Sequence, residues 1–239
     1  MKKIIPGLVL MLASSCEYKD IGPRICFLES EQTATKSNFY TYNSANELVS
    51  YRAPDVFSST LTNDGSGKII SELDNGNIQI NYAYDQSNRL VLWTEASAGN
   101  TSNLQAKFMY NASGQDTLIQ YFNYNVSSGT YDLQVYTRLS YTSPTTKNYS
   151  ERRTYNDLSV LLYTEKYLWD NHPNPYLANA FFTNEPPPSN NILRHEITYA
   201  GGNTTVANLS YDYNSNGFPM SQTETGYGVI AYYTYTNCK

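Results

Sequence analysis

Tyr82-Ala83-Tyr84-Asp85-Gln86-Ser87-Asn88 is one copy of a unit, Tyr-x-Tyr-(Asn/Asp)-x-x-(Asn/Gly), that recurs along the chain. Further copies begin at Tyr40 and Tyr211, and an aromatic variant begins at Phe108. Aromatic residues two positions apart lie on one face of a strand. Asn or Asp opens a tight turn, and Asn or Gly accepts the positive φ that closes it. Each copy therefore predicts one β-hairpin.

The sequence between the copies predicts that these hairpins form one antiparallel sheet. A degenerate copy, Leu61–Gly67, keeps the turn residues and lacks the aromatics, so the local period is roughly twenty residues, about one hairpin. In the run 208–213, Leu209, Tyr211 and Tyr213 share one face and polar residues share the other, which is typical of antiparallel strands. We predict an all-β fold: an antiparallel meander of Tyr-rich hairpins, curled or closed into a barrel-like sheet.

The composition agrees with this fold and excludes one class of partner. The chain has 239 residues, of which 24 are Tyr and only 15% are charged, and such a composition favours half-buried strands over helices. A single domain of this length is common among barrels and sandwiches. The net charge of −5 and the absence of a Lys/Arg cluster argue against nucleic acid as a partner.

The N-terminus has the pattern of a secretory signal. Lys2 and Lys3 precede an apolar run, 4–13, which is too short to span a bilayer as a mature helix. Two processing sites are possible: ordinary cleavage after Ala13-Ser14-Ser15, or lipidation of Cys16, whose context resembles a bacterial lipobox. We predict a signal peptide at 1–15, a lipidated tether at 16–35 and a single β domain at 36–239.

The cysteine count bears on both ends of the chain. Of the three cysteines, lipidation accounts for Cys16 and leaves Cys26 and Cys238. A disulfide between these two would close a loop of roughly two hundred residues, worth roughly 5 kcal/mol in the chain-entropy model. The alternative is two separate, buried thiols.

A Pro-rich segment at 170–191 interrupts the pattern. The prolines in Asp170–Tyr176 remove ladder donors, so this stretch is not expected to be a central strand. Leu177–Phe182 is predicted as a short helix that plugs an open end of the sheet. The apolar residues of the segment would then seal one mouth of the sheet: Tyr176, Leu177, Phe181 and Phe182. The alternative is a binding loop with these rings exposed.

Taken together, these motifs resemble a known group of proteins. The hairpin units resemble the YD repeats of RHS-type surface proteins. With the lipobox-like start, the Asn171–Tyr176 insert and the Tyr-rich ending at Cys238, the chain is similar to a family of uncharacterised bacterial lipoproteins described as having a porin-like fold. The resemblance implies a porin-like barrel and an envelope address, and it implies no catalytic residue.

No catalytic or metal-binding set is expected. The two histidines, His172 and His195, lie in no recognisable hydrolase motif; His172 is expected to stabilise the Pro-rich loop and His195 to lie on the wet face of a strand. The Asn63–Gly67 turn resembles a calcium loop, but Thr60 and Ser71 occupy the positions where acidic ligands are needed. We predict neither a cofactor nor a metal.

Exposed aromatics leave a binding function open. Trp93 or Trp169 could stack on a sugar ring, although most such rings belong to a core. We predict a non-enzymatic, lipid-anchored scaffold of the bacterial outer membrane, surface-exposed or periplasmic, with the membrane and a glycan or envelope protein as partners. The acid-containing start after Cys16 favours the outer face. The alternatives are a glycan-binding or carbohydrate-active accessory protein and a membrane-embedded β-barrel.

Overall fold

The structure, a computed structural model, describes residues 26–54, 56–66, 68–97, 103–176 and 188–238. The predicted lipidation site Cys16 and the central part of the Pro-rich segment, 177–187, lie outside these ranges. Within them, no helix is long and apolar enough to cross a membrane.

In the described part of the chain, sixteen antiparallel strands form one closed barrel. Each strand pairs with the next along the chain, and β1 closes the barrel against β16. The predicted meander is therefore confirmed, and its sheet closes. The strands are β1 (Phe27–Thr33), β2 (Ser37–Tyr42), β3 (Leu48–Ala53), β4 (Phe57–Asn63), β5 (Ile69–Asp74), β6 (Ile78–Tyr84), β7 (Leu90–Ser97), β8 (Asn103–Tyr110), β9 (Asp116–Asn125), β10 (Thr130–Ser140), β11 (Glu151–Asn156), β12 (Leu161–Pro173), β13 (Asn190–Tyr199), β14 (Thr204–Tyr213), β15 (Pro219–Glu224) and β16 (Gly228–Thr236).

The turn of the repeated unit has one recurring geometry. Asp85 Oδ1 accepts hydrogen bonds from the backbone N–H groups of Ser87 at 2.8 Å and Arg89 at 3.0 Å, and Asn88 has a φ of 61°. The Asp85 carboxylate thus accepts the hydrogen bonds that close the turn, and Asn88 adopts the left-handed conformation. The same pattern is found in the turns that Asn43, Asn111 and Asn214 open and that Asn46, Gly114 and Gly217 close.

In the units that begin at Tyr40, Tyr82 and Phe108, the tyrosine before the turn joins its hairpin to the preceding one. In the fourth unit, Tyr213 donates to the Asp170 side chain instead. Tyr84 Oη donates to the carbonyl oxygen of Ile69 at 2.8 Å, and Tyr110 Oη donates to that of Leu90 at 2.7 Å. Both acceptors are the first strand residue after the preceding turn. These bonds therefore fix the spacing of successive hairpins. Equivalent bonds join Tyr42 to Leu28 and Tyr235 to Pro219.

The meander gives the barrel two different rims. The motif rim carries the connections from each even-numbered strand to the next, including the Asx turns and the Pro-rich connection between β12 and β13. The opposite rim carries the connections from each odd-numbered strand to the next. The first and last described residues, Cys26 and Cys238, lie at the motif rim, where they flank the β1–β16 seam and are joined by a disulfide in the structure.

The interior has an apolar half and a polar half. One buried cluster takes its residues from β1–β10 and β16, and we call this part the apolar half. Tyr176, from the Pro-rich connection, packs against that cluster. Strands β11–β15 contribute nothing to the cluster, and we call them the polar half. Arg152 of β11 lies directly opposite the buried Leu139 of β10 and therefore faces the interior.

Two predicted boundaries are wrong. Residues 27–33 are not tether but strand β1, and their pattern is hidden because Glu31 occupies an interior position opposite Asn38 and Tyr233. Residues 170–173 belong to β12, although prolines were expected to exclude them. Pro173 is tolerated because it is the last residue of the strand and follows an irregularity after Trp169.

Candidate functional site

Three aromatic rings form a stack on the interior face of the polar half. Tyr167 stacks on Trp169 with ring centroids 5.3 Å apart, and on its other side it stacks on His195 at 4.6 Å. Tyr149, from the β10–β11 loop, meets both Tyr167 and Trp169 edge to face. Trp169 Nε1 donates to the Tyr149 carbonyl oxygen at 2.6 Å. The stack is therefore held by strand pairing and by a bond to the neighbouring loop.

A charged group lies beside the stack. Glu165 Oε1 is 3.0 Å from His195 Nε2, and Glu165 Oε2 is 3.6 Å from Arg152 Nε. Burial alone would raise the pKa of Glu165, but the hydrogen bond from His195 and the charge of Arg152 outweigh it and lower the pKa. Burial raises the pKa of Tyr167. His195 was predicted on the wet face; it faces the interior instead, because it pairs with Tyr167.

A second network, of hydrogen bonds, joins the two ends of the Pro-rich connection at residues 170–172 and 190–191, which we call its neck. Asp170 Oδ1 accepts from the backbone N–H groups of His172 and Asn191, both at 3.0 Å, and Asp170 Oδ2 accepts from Asn191 Nδ2 and the Tyr213 hydroxyl. His172 stacks on Tyr213 at 3.9 Å. The imidazole therefore lies in the position expected for a residue that stabilises this loop. The same neck holds Asn190, whose Nδ2 donates to the His172 carbonyl oxygen.

A cleft opens at the motif rim next to these groups. Its volume is about 440 Å³, and it lies between the β8–β9 turn, the β10–β11 loop and the end of the Pro-rich connection at Pro188 and Ser189. We call it the rim cleft. Its chemically distinctive lining residues are Gln115, Asp116, Tyr141, Lys147, Tyr149 and Ser189.

The walls of the rim cleft are tied together by hydrogen bonds. Gln115 Nε2 donates to the carbonyl oxygens of Ser143 at 2.9 Å and Thr146 at 2.6 Å, which joins the β8–β9 turn to the β10–β11 loop. Asn148 Oδ1 accepts from the Ser189 backbone N–H at 2.8 Å, which joins that loop to the Pro-rich connection. The cleft is therefore largely preformed. Its aromatic wall, Tyr149, continues into the stack below.

The two tryptophans, which were candidates for ligand stacking, differ in burial. Trp93 is 2% exposed and belongs to the apolar core, so the stacking role suggested for it is wrong. Trp169 is half-buried near the motif rim and remains a candidate. Sequence reasoning did not find the rim cleft, because its residues come from three separate connections, of which only the β8–β9 turn belongs to the repeated unit. Within the described ranges, no group of three or more His, Cys, Asp or Glu residues could hold a metal ion.

Comparison with solved structures places the fold among porin-like barrels. A porin-like protein from Bacteroides uniformis ATCC 8492 has a TM-score of 0.55 and 13% identity, covering 90% of this chain and 96% of that one. A porin-like protein from Bacteroides vulgatus ATCC 8482 has a TM-score of 0.59 and 8% identity, covering 88% and 98%.

Other comparisons add little. A chain of the Photorhabdus luminescens Tc holotoxin pore matches with a TM-score of only 0.31 and over 13% of its own length, which supports no conclusion. No protein-family model matches the sequence, and no curated protein matches it. At the identities of the Bacteroides structures the likeness shows the fold alone, and the porin-like fold implied by the sequence motifs is what it confirms.

Proposed function

We propose that this protein is a lipid-anchored scaffold of the bacterial cell envelope that binds a ligand at its motif rim, without catalysing a reaction. The observation that carries the proposal is the preformed rim cleft above the Trp169–Tyr167–His195 stack. Its volume of about 440 Å³ lies within the range of roughly 300–1,000 Å³ that is typical of ligand sites. Porin-like neighbours support the barrel as the scaffold.

A saccharide is the ligand class that the cleft favours. Sugar rings have an apolar face that packs on aromatic rings, such as Tyr141 and Tyr149, and hydroxyl groups that bond to polar side chains. Asp116 and Lys147 line the same cleft and offer an acceptor and a donor. This chemistry supports the glycan-binding alternative as a refinement of the scaffold function.

The ligand proposal can be tested with a glycan array and a matched pair of variants. Lys147→Ala removes a charged group from the cleft, whereas Lys166→Ala removes another exposed lysine, from the outer wall. We expect the parent protein and Lys166→Ala to capture the same glycans and Lys147→Ala to lose them. Equal capture by all three would contradict a site in the rim cleft.

The outer wall favours a barrel that lies outside the bilayer core. Strands β1–β8 are six to eight residues long, shorter than the roughly 9–11 residues that a spanning strand needs. The wall also carries the exposed Arg194–Glu196 ion pair, with a distance of 2.7 Å, and Lys107 over the Phe122 ring. An Arg or Lys side chain that faces lipid at the midplane costs roughly 2–4 kcal/mol.

Detergent phase partition tests this placement. The protein without residues 1–16 should remain in the aqueous phase, because the side chains of its buried apolar cluster face the interior of the barrel. Recovery in the detergent phase would instead favour the membrane-embedded barrel.

The anchor is proposed at Cys16, on the basis of the lipobox-like sequence and the odd cysteine count. Cys16→Ala should allow washing to remove the protein from the membrane fraction, and intact mass of the parent should show an acylated Cys16 at the mature N-terminus. An unmodified Cys16 would contradict the anchor without affecting the cleft. Protease shaving of whole cells then distinguishes surface display from a periplasmic location.

A further inference from the structure

The most exposed apolar side chains at the hairpin tips share one rim. Val56 lies in the β3–β4 connection, Val126 in β9–β10, Leu158 and Val160 in β11–β12, and Tyr227 in β15–β16. All five belong to the opposite rim, and they are between 56% and 79% exposed. We call them the apolar tips.

The motif rim differs in this respect. Its described turns, 43–47, 64–66, 85–89, 111–115 and 214–218, contain no large exposed hydrophobic residue. They consist mainly of Asn, Asp, Ser and Gly residues that bond to one another. Single exposed apolar residues are ordinary on a protein surface. Among the described connections, however, the large exposed ones occur only at the tips of the opposite rim, which the turn chemistry does not explain.

The spacing of the apolar tips indicates what kind of surface they can contact. They come from four hairpins distributed around the closed strand order, and polar turn residues such as Ser127 and Gly226 separate them. A surface that lies across this end of the barrel and adapts to its shape can touch all four hairpins together. A protein partner would need a contiguous, well-packed patch of roughly 800 Å² on each side, which separate side chains do not form. A lipid surface adapts to isolated insertions.

We propose that the opposite rim rests on a lipid surface and inserts the apolar tips among the headgroups. Aliphatic and aromatic side chains with polar neighbours suit this depth, and Tyr227 is of the type enriched at membrane interfaces. The described rim offers Lys36 as a positive charge but also the acidic Asp132 and Asp157. The attraction is therefore hydrophobic, and zwitterionic lipid suffices.

The proposed anchor is compatible with this orientation. Cys26, which lies at the motif rim, is ten positions after Cys16, and a chain of ten residues spans at most about 36 Å. Strand β1, with seven residues, rises about 23 Å from the motif rim toward the opposite rim. The tether thus has the length for an acyl group on Cys16 and the apolar tips to meet one bilayer. The rim cleft then faces away from that bilayer.

Vesicle sedimentation with phosphatidylcholine tests the rim directly. The protein is the mature chain from residue 16 with Cys16→Ala, so that no acyl group contributes. The rim variant is Leu158→Ser with Tyr227→Ser. The control is Leu168→Ser with Tyr232→Ser, which removes the same residue types, 57% and 55% exposed, from the outer wall.

We expect the parent and the wall control to sediment with vesicles and the rim variant to lose at least tenfold in partition. Thermal unfolding should show that both variants are folded. A parent protein that stays in solution, or equal losses in the two variants, would overturn the proposal. So would light scattering that shows a dimer which only the rim variant loses, because the rim would then contact a second copy.

Spin labels give a second, independent readout. A label at Ser127→Cys on the opposite rim should become shielded from a water-soluble relaxation agent when vesicles are added. A label at Ser44→Cys on the motif rim should remain accessible. Shielding at Ser44, or at both positions, would place a different surface on the lipid and refute the assignment.

Discussion

The apolar and polar halves of the barrel are built from one meander but differ in what their interiors contain. In the apolar half, regular units repeat and strands β1–β8 have six to eight residues, and buried side chains such as Trp93 and Ile119 fill the space. In the polar half, β12, β13 and β14 have 13, 10 and 10 residues, and the interior carries Arg152, Glu165 and His195. The candidate site lies where the repetition is lost.

This difference indicates that the apolar half mainly stabilises the fold and the polar half mainly forms the candidate site. The repeated units stabilise the barrel, because each tyrosine that bonds to the preceding hairpin also packs in the core. The irregular part gives the long β10–β11 and β12–β13 connections, which form two walls of the rim cleft opposite the regular β8–β9 turn. Stability changes should therefore be large in the apolar half and small in the polar half, and the following experiments test that expectation.

Alkaline pH should have the largest effect. Burial, with a smaller contribution from Glu31 or Glu72, raises the pKa of the interior tyrosines, among them Tyr40 and Tyr82. In the unfolded chain a tyrosine has a pKa near 10. Between that value and the raised folded value the folded state holds more protons, so stability is complete below about pH 10 and falls above it. Each such tyrosine removes about 1.4 kcal/mol per pH unit.

The measurement is near-ultraviolet circular dichroism together with absorbance at tyrosinate wavelengths. The tyrosinate absorbance of the interior rings should appear together with the loss of the dichroism above about pH 10. Retention of the dichroism while the interior tyrosines ionise would contradict the burial argument. A titration between about pH 6 and 9 serves as the baseline.

Opening the seam should have the next largest effect. The bond between Cys26 and Cys238 encloses almost the whole barrel, with a sequence separation of 212 residues, and the chain-entropy model gives roughly 5 kcal/mol as its contribution. The double variant Cys26→Ser, Cys238→Ser should therefore unfold at clearly lower denaturant concentration. Thiol titration of the unfolded parent protein, before and after reduction, checks that the bond exists. Two free thiols before reduction would contradict the pairing.

The two tryptophans compare the halves directly. Trp93→Ala should lower the free energy of unfolding by about 3–5 kcal/mol, because it empties a fully buried site. Trp169→Ala should cost less than half of this, because the ring is only half-buried and loses one hydrogen bond. Urea denaturation of both variants measures the difference. Equal losses would mean that the polar half is as tightly packed as the apolar half.

Removing one linking hydroxyl should have the smallest effect. Tyr84→Phe leaves the Ile69 carbonyl oxygen without its donor and should cost about 1–2 kcal/mol. Tyr155→Phe is the control, because this ring stacks on Tyr136 on the outer wall and should change stability little. An equally small change in Tyr84→Phe would show that the link between hairpins is not a source of stability.

Sequence patterns predicted the hairpins better than the site. Asp85 and Asn88 define their turn by local hydrogen bonds and local φ, which depend on residues that are adjacent in the chain. Trp93 and Trp169 have no such local signature. Which ring is buried depends on the register of β7 and β12 and on the loops above them. The pattern also missed β1, because Glu31 points inward only as a consequence of its pairing with β16.

The sequence by itself determined the hairpin unit, the spacing of the aromatics and the breaks in the repeat, because these follow from side-chain alternation and turn chemistry within a few residues. Only the tertiary structure decided that the sheet closes through β1 and β16, that Glu165, His195 and Arg152 meet, and that three loops form the rim cleft. The physical reason is distance along the chain. Contacts between residues far apart in sequence depend on the register of every intervening strand pair. A pattern of a few adjacent residues does not determine all of these registers.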